Sequence, residues 1–173
     1  AIVRASALGQ VRLMIPMLSH LDEVTQVVDL VRRIQQELRR QSIDFDAAMP
    51  IGGMIEVPAA AAYADGFARA LDFLSVGTND LIQYAVAIDR INEEVSYLYD
   101  PLNPGVLRLI QMAIRAADAA ECPIAMCGEM AGDVRYTRLL LGLGLRVFSV
   151  HPSLLLEVKQ AIATTRLEDV KAV

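Results

Sequence analysis

Tryptophan is absent from these 173 residues, and aromatic side chains make up only 5% of them. Packing therefore falls to Ala, Val, Leu and Ile, within an apolar fraction of 54%. That balance is expected of parallel strands covered on both faces. Cysteines number two, Cys122 and Cys127, with no second pair. This fits neither a zinc site nor a secreted disulfide framework and points to a reduced, cytoplasmic setting. Basic excess is also lacking: a net charge of −5 argues against a general nucleic-acid footprint. No apolar run reaches the roughly 18 residues that cross a bilayer, and no signal peptide is evident. Repeats, low-complexity tracts and linkers are missing too, so residues 1–173 read as one domain unit.

What is present is an alternation of strand and helix patterns. Apolar runs occupy Val11 to Leu18, Ile51 to Val57, Phe73 to Val76, Ile124 to Cys127 and Val147 to Val150. Between the first two, Val24, Val27, Val28, Val31, Ile34 and Leu38 recur at helical spacing, with Ser19 and Asp22 as the expected start. A second helix is expected from Asn103 as N-cap with Pro104 at its first position. A third runs from about Asp133 to the Gly142 and Gly144 punctuation. Repeated βα units imply parallel pairing and right-handed crossovers. Five units are too few to close an eight-stranded barrel, which takes about 250 residues. The choice is an open sheet or the C-terminal part of a (β/α)₈ TIM-type barrel. Open sheets place phosphate-binding glycines at the first βα turn, and the first turn here, PMLSHLDE, has none. The barrel is favoured. The opening segment AIVRASALGQ reads as the tail of a helix already under way.

Chemistry concentrates in GGMIEVPAAA and FLSVGTNDLIQY. Each apolar run stops at a small polar cluster, carrying Glu56 in the first and Asp80 in the second. Side chains just past the carboxyl ends of parallel strands are where such folds do chemistry. Two carboxylates there make a divalent-metal site of hard oxygen ligands; alternatively, both acids favour the N-termini of the following helices. Asn79 can donate an amide hydrogen to a phosphate oxygen or serve as an N-cap. Gly77 and Thr78 complete a turn that lets backbone approach an anion. Arg90 offers a guanidinium fork for two phosphate oxygens, although an ion pair with Asp89 or Glu93 is the simpler reading of a lone arginine. Cys127 ends its strand at the same face, yet composition alone favours a buried, inert thiol. Cys122 precedes Pro123 at the opposite end and reads as structural. His20 and His151 follow strands and are expected to fill loop or supporting roles.

The strings GGMIEVPAAA, DFLSVGTNDLIQYAVAIDR, YDPLNPGVLRLI and AMCGEMAGD, in this order, closely resemble the C-terminal domain of enzyme I of the bacterial phosphotransferase system, the phosphoenolpyruvate-protein phosphotransferase. Pyruvate phosphate dikinase and phosphoenolpyruvate synthase share the glutamate and GTND clusters. AVAIDR and LYDPLNP are more like enzyme I, and the tail FSVHPSLLLEVKQAI is similar to the enzyme I modules of fused multiphosphoryl transfer proteins. The resemblance implies a barrel binding phosphoenolpyruvate and Mg²⁺, with Glu56 and Asp80 as metal ligands. It implies Arg90 on the phosphate and Cys127 as proton donor to the pyruvate enolate. It also implies phosphoryl transfer to a histidine on a separate N-terminal domain, onward transfer to a histidine-containing carrier protein for sugar uptake, and a homodimer. The histidine domain, the early barrel strands and their phosphate-clamping arginines are not in this sequence, so the 173 residues alone are expected to be inactive. Two alternatives remain: a Mg-dependent aldolase or lyase of the same superfamily that handles a pyruvate enolate, and a non-catalytic dimerisation module.

Overall fold

The computed structural model describes residues 1–170 of the 173. In chain order its elements are α1 (Ile2–Ala5), β1 (Leu13–Ile15), α2 (Leu21–Arg40), β2 (Ile51–Ile55), α3 (Pro58–Ala62), α4 (Ala64–Ala70), β3 (Phe73–Gly77), α5 (Thr78–Ala85), α6 (Pro104–Ala119), β4 (Ile124–Cys127), α7 (Glu129–Gly132), α8 (Val134–Leu143), β5 (Val147–Phe148) and α9 (Leu155–Ala163). Short 3₁₀ turns sit at Ser6–Leu8, Ser96–Leu98, Pro152–Leu154 and Leu167–Asp169. All five strands pair parallel, in the order β1-β2-β3-β4-β5. A doubly wound sheet reverses its strand order at a switch point. This one never does, so right-handed crossovers place every connecting helix on the same face. The result is the barrel type of winding, left open by these five strands.

Strand register decides which side chains meet. One face aligns Ile15, Gly53, Leu74 and Ile124 in a row, then Ile55, Val76, Met126 and Phe148. These lie under the helices; Ile55, Val76 and Met126 are fully buried. Burial on that scale contributes about 1.5–3 kcal/mol per large side chain. Phe67 of α4 and Val106, Ile110 and Ala113 of α6 close the same core. Gly53 is required there, because a Cβ would lie 2.5 Å from Leu18 and 2.7 Å from Leu71. The opposite, inner face aligns Met14, Gly52 and Phe73, then Met54, Ser75, Ala125 and Val147, then Gly77 and Cys127.

Boundaries differ from the expectation at both outer strands. The run Val11 to Leu18 yields only Leu13–Ile15: Pro16 has no N–H for the ladder, and Met17 turns away at φ 53°. Val147 to Val150 pairs over two residues, extended by one bond from Ser149 N–H to the Met126 carbonyl. Helix α2 is capped by His20 rather than by Ser19 or Asp22. The His20 ring accepts from Asp22 N–H, and Glu23 reaches back to His20 N–H at 2.9 Å. Asn103 and Pro104 begin α6 as expected, with Asn103 Oδ1 accepting from Gly105 N–H. Asp133 caps α8, Gly142 lies inside it, and Gly144 ends it in the left-handed region at φ 107°.

That last residue offers a direct check on the fold. A Cβ at Gly144 would stand 3.1 Å from Ile114 on a backbone that L-residues avoid. Gly144→Ala should cost about 1 kcal/mol or more, read as a lowered denaturation midpoint with an unchanged m-value.

Candidate active site

Glu56 is the residue just past Ile55, and Ile55 pairs with Val76. This carries Glu56 to the inner face beside Gly77, which itself pairs with Cys127. Carboxylate, glycine and thiol thus share one row at the carboxyl edge of the sheet. Glu56 is only 5% exposed. Its Oε1 accepts from Met17 N–H at 2.8 Å, across the ends of β1 and β2. Left-handed backbone at a non-glycine residue costs on the order of 1–3 kcal/mol, and at Met17 it accompanies this bond. The other oxygen, Oε2, lies against Gly77, where a Cβ would come within 2.7 Å of it. No cation among the described residues pairs with Oε2.

Burial pushes the Glu56 carboxyl above its ordinary range; the Met17 N–H opposes this, and the facing Asp80 carboxylate raises it further. Neither acid caps a helix through its side chain: Val57 precedes α3 and Gly77 precedes α5, both without a side-chain cap. Asp80 stands in the first turn of α5. A buried acid facing a second acid repels itself when metal-free, whereas a divalent cation between the two reverses that balance. Two carboxylates leave most positions of a Mg²⁺ octahedron to water and substrate, as this ion prefers. No group of three or more His, Cys, Asp or Glu side chains suited to a metal occurs among the described residues.

Cys127 is half-buried. Its S–H points to the Val76 carbonyl at 3.6 Å, and Ser75 Oγ approaches the sulfur at 3.8 Å. Burial pushes the thiol up, Ser75 pulls it down, and Glu56 and Asp80 push it up again. The thiol therefore keeps its proton through neutrality. Thr78 is fully buried, and its hydroxyl donates to the Cys127 carbonyl at 3.0 Å, tying the ends of β3 and β4 together. Asn79 Oδ1 accepts from Glu129 N–H at 2.9 Å. It caps the neighbouring α7 rather than its own helix, which leaves the amide hydrogens without a protein acceptor among the described residues. Gly128, at φ 92°, makes this closeness possible, since a Cβ there would collide with Thr78 Oγ1 and lie 2.9 Å from Asn79 Oδ1.

The family model for the phosphoenolpyruvate-binding domain of phosphoenolpyruvate-utilising enzymes matches residues 1–167. The chain belongs to this family. Proteins named phosphoenolpyruvate-protein phosphotransferase are similar to it: that of Cupriavidus necator is 51% identical over 97% of this chain and 29% of its own length. Those of Mycoplasma capricolum and Priestia megaterium are 44% and 42% identical over 99% of this chain and 30% of theirs. The chain thus spans under a third of the length of the curated relatives it matches. Among solved structures, a citrate lyase from Burkholderia xenovorans superposes with a TM-score of 0.71 at 17% identity, over 96% of this chain and 53% of that one. The CitE protein of Mycobacterium tuberculosis, in complex with magnesium and pyruvate, superposes at 0.56 and 18% identity, over 86% of this chain and 55% of that one. At these identities the likeness is one of fold, and it is to barrel-like proteins.

In this phosphoenolpyruvate-binding domain, Arg90 lies beyond α5, where Ala87 at φ 55° turns the chain and Arg90 N–H donates to Gln83 Oε1 at 3.1 Å. The guanidinium forms no ion pair with Asp89 or Glu93 among the described residues. Arg90, Ile91, Ser96, Tyr99 and Glu129 line one cavity of about 400 Å³. Glu129 joins it to Asn79. A larger groove of about 810 Å³ runs along the flank of α2 from Gln26 to Gln36, far in sequence from any strand end. Cys122 is buried with its sulfur near the Leu71 carbonyl, at the opposite end of the strands. His20 and His151 cap helical turns at the surface. Sequence reasoning passed over four supporting groups: the Met17 N–H, Ser75, Tyr99 and Glu129. Ser75 was findable as the one hydroxyl in an apolar strand, and Glu129 and Tyr99 lie inside quoted motifs. Nothing in PMLSH marks Met17.

The raised Glu56 carboxyl predicts a pH signature. Its protonated form suits the metal-free fold, so its contribution is complete below the unfolded carboxyl value of about 4.3 and is lost as pH rises through its raised folded value. With chelator present, the stability of wild type relative to Glu56→Gln should fall from pH 4 to pH 7. Adding Mg²⁺ at pH 7 should raise the midpoint of wild type and leave Glu56→Gln unmoved, as thermal unfolding will show.

Proposed function

We propose that this domain is the phosphoenolpyruvate site of a Mg²⁺-dependent phosphoenolpyruvate-protein phosphotransferase. The observation that carries the reading is a buried carboxylate, Glu56, in one strand-end row with the thiol of Cys127, faced by the half-buried Asp80 from the first turn of α5. Bound between Glu56 and Asp80, Mg²⁺ would neutralise charge on the phosphate and the enol oxygen. Phosphoryl transfer calls for positioning and charge stabilisation more than covalent chemistry from the protein. Asn79 offers its free amide hydrogens to a phosphate oxygen, and Arg90 offers two parallel N–H groups. Gly77 and Thr78 keep the turn narrow and fixed. Once phosphate departs, the pyruvate enolate takes a proton on its methylene carbon from Cys127 Sγ, and the thiolate is reprotonated from solvent.

Phosphate then passes to a histidine on another domain of the full-length protein, and from there to a carrier protein serving sugar uptake, with the domain paired as a homodimer. The names of the relatives support transfer from phosphoenolpyruvate to a protein; the histidine domain, the carrier and the homodimer follow from the motif resemblance alone. The free thiols of Cys122 and Cys127 suit the cytoplasm, where cysteines stay reduced. The aldolase or lyase alternative has the shared fold as its support. Identities of 42–51% to phosphotransferases favour phosphoryl transfer.

In the full-length protein, Glu56→Ala or Asp80→Ala should lower phosphotransfer about a hundredfold or more, because metal stabilisation is worth several kcal/mol in the transition state. Turnover at the wild-type rate in either variant contradicts the ligand assignment. Cys127→Ala should bind phosphoenolpyruvate with little change and form pyruvate slowly. Normal pyruvate formation by that variant would make the thiol a packing residue.

A further inference from the structure

Arg90 is an exposed arginine on an irregular segment, without an ion-pair partner among the described residues. Left to itself such a side chain samples many rotamers, and ordering it on an anion costs up to about 2 kcal/mol in conformational freedom. Its surroundings are better defined. Tyr99 packs its ring against the main core. The backbone of Tyr99 is pinned by a bond from its N–H to the Ser96 carbonyl at 3.0 Å. Four residues on, Asn103 caps α6, and Asp100 Oδ1 accepts from Leu102 N–H at 2.8 Å, so the segment is fixed from both sides. The same residue lines the 400 Å³ cavity with Arg90 and Glu129. Glu129 is anchored in turn by Asn79. Burial pushes the Tyr99 phenol up, the Glu129 charge adds to this, and Arg90 pulls it down. The phenol therefore stands within electrostatic reach of the guanidinium and keeps its proton.

We propose that Tyr99 is a positioning residue for Arg90: its core-anchored phenol oxygen accepts from the guanidinium and holds the fork toward the Glu56–Asp80 end of the sheet, ready for an anionic substrate. Glu129 lines the same cavity and sets a negative charge within reach of the phenol. A phenol suits this task because its half-buried ring packs against the core and carries only two side-chain torsions, so the oxygen has a fixed address. The assignment rests on the reading of Arg90 as the phosphate-facing residue.

The test is a double-mutant cycle in the full-length protein, with Tyr99→Phe, Arg90→Ala and both together. The readouts are KM for phosphoenolpyruvate, kcat for pyruvate formation, and the thermal midpoint. Tyr99→Phe keeps the half-buried ring and should keep the midpoint. It should raise KM about tenfold, the usual scale for losing a hydrogen bond to a charged group. In the Arg90→Ala background the same substitution should change KM by less than about twofold, because the group it positions is gone. A KM for Tyr99→Phe within about twofold of wild type overturns the proposal, and so does an equal effect in both backgrounds. Wild-type protein that forms no pyruvate from phosphoenolpyruvate with Mg²⁺ overturns the proposed function itself, and this inference with it.

Discussion

A carboxylate that the fold buries without neutralising it is the constraint around which the rest is arranged. Glu56 sits at the end of β2, 5% exposed, with one oxygen on the Met17 N–H and the other against Gly77. No cation from the described residues pairs with it. Buried charge of this kind is costly unless something compensates it, and Asp80 makes the local field more negative still. Positive charge placed there would relieve it. Around it, glycines remove obstruction where the acid and the turns must approach each other. Gly77 admits Glu56, and Gly128 admits Thr78 and Asn79.

The second consequence is cross-bracing between strand ends. Met17 ties β1 to β2, Thr78 ties β3 to β4, and Asn79 ties the β3 turn to α7. Each bond spans 39 to 50 residues of sequence, so this carboxyl edge of the sheet is organised by tertiary contacts rather than by local turn chemistry. The same field acts on the thiol: the acids that favour a metal also help hold the Cys127 proton. Carboxylates and thiol are therefore coupled through electrostatics as well as proximity.

How much of this was legible depends on which interaction decides each feature. Glu56, Asp80 and Cys127 could be placed because each follows an apolar run that only a covered strand explains, and parallel winding puts all strand ends of one polarity together. Asn103–Pro104 and Asp133 announced their helices through capping chemistry that is local in sequence. Nothing local announced that Met17 would leave β1 at φ 53°, since its reward is a carboxylate on another strand. Asn79 was read as a phosphate donor or as the N-cap of its own helix; its oxygen instead meets the N-terminus of a neighbouring helix, and its amide hydrogens stay available. Tyr99 is separated from Arg90 by a stretch without periodicity, so only the fold reveals that they share a cavity. Helices α3 and α4 are rich in alanine and carry little amphipathic signal, although their positions follow once β2 and β3 are parallel.

The central claim is that Glu56 and Asp80 jointly hold one divalent cation. Mn²⁺ takes the same hard-oxygen ligands as Mg²⁺ and scatters X-rays anomalously. Diffraction from crystals of the full-length protein grown with Mn²⁺ and phosphoenolpyruvate should therefore show a single anomalous peak between the two carboxylates. No peak there, or a peak coordinated by other residues while phosphoenolpyruvate is bound, would contradict the account.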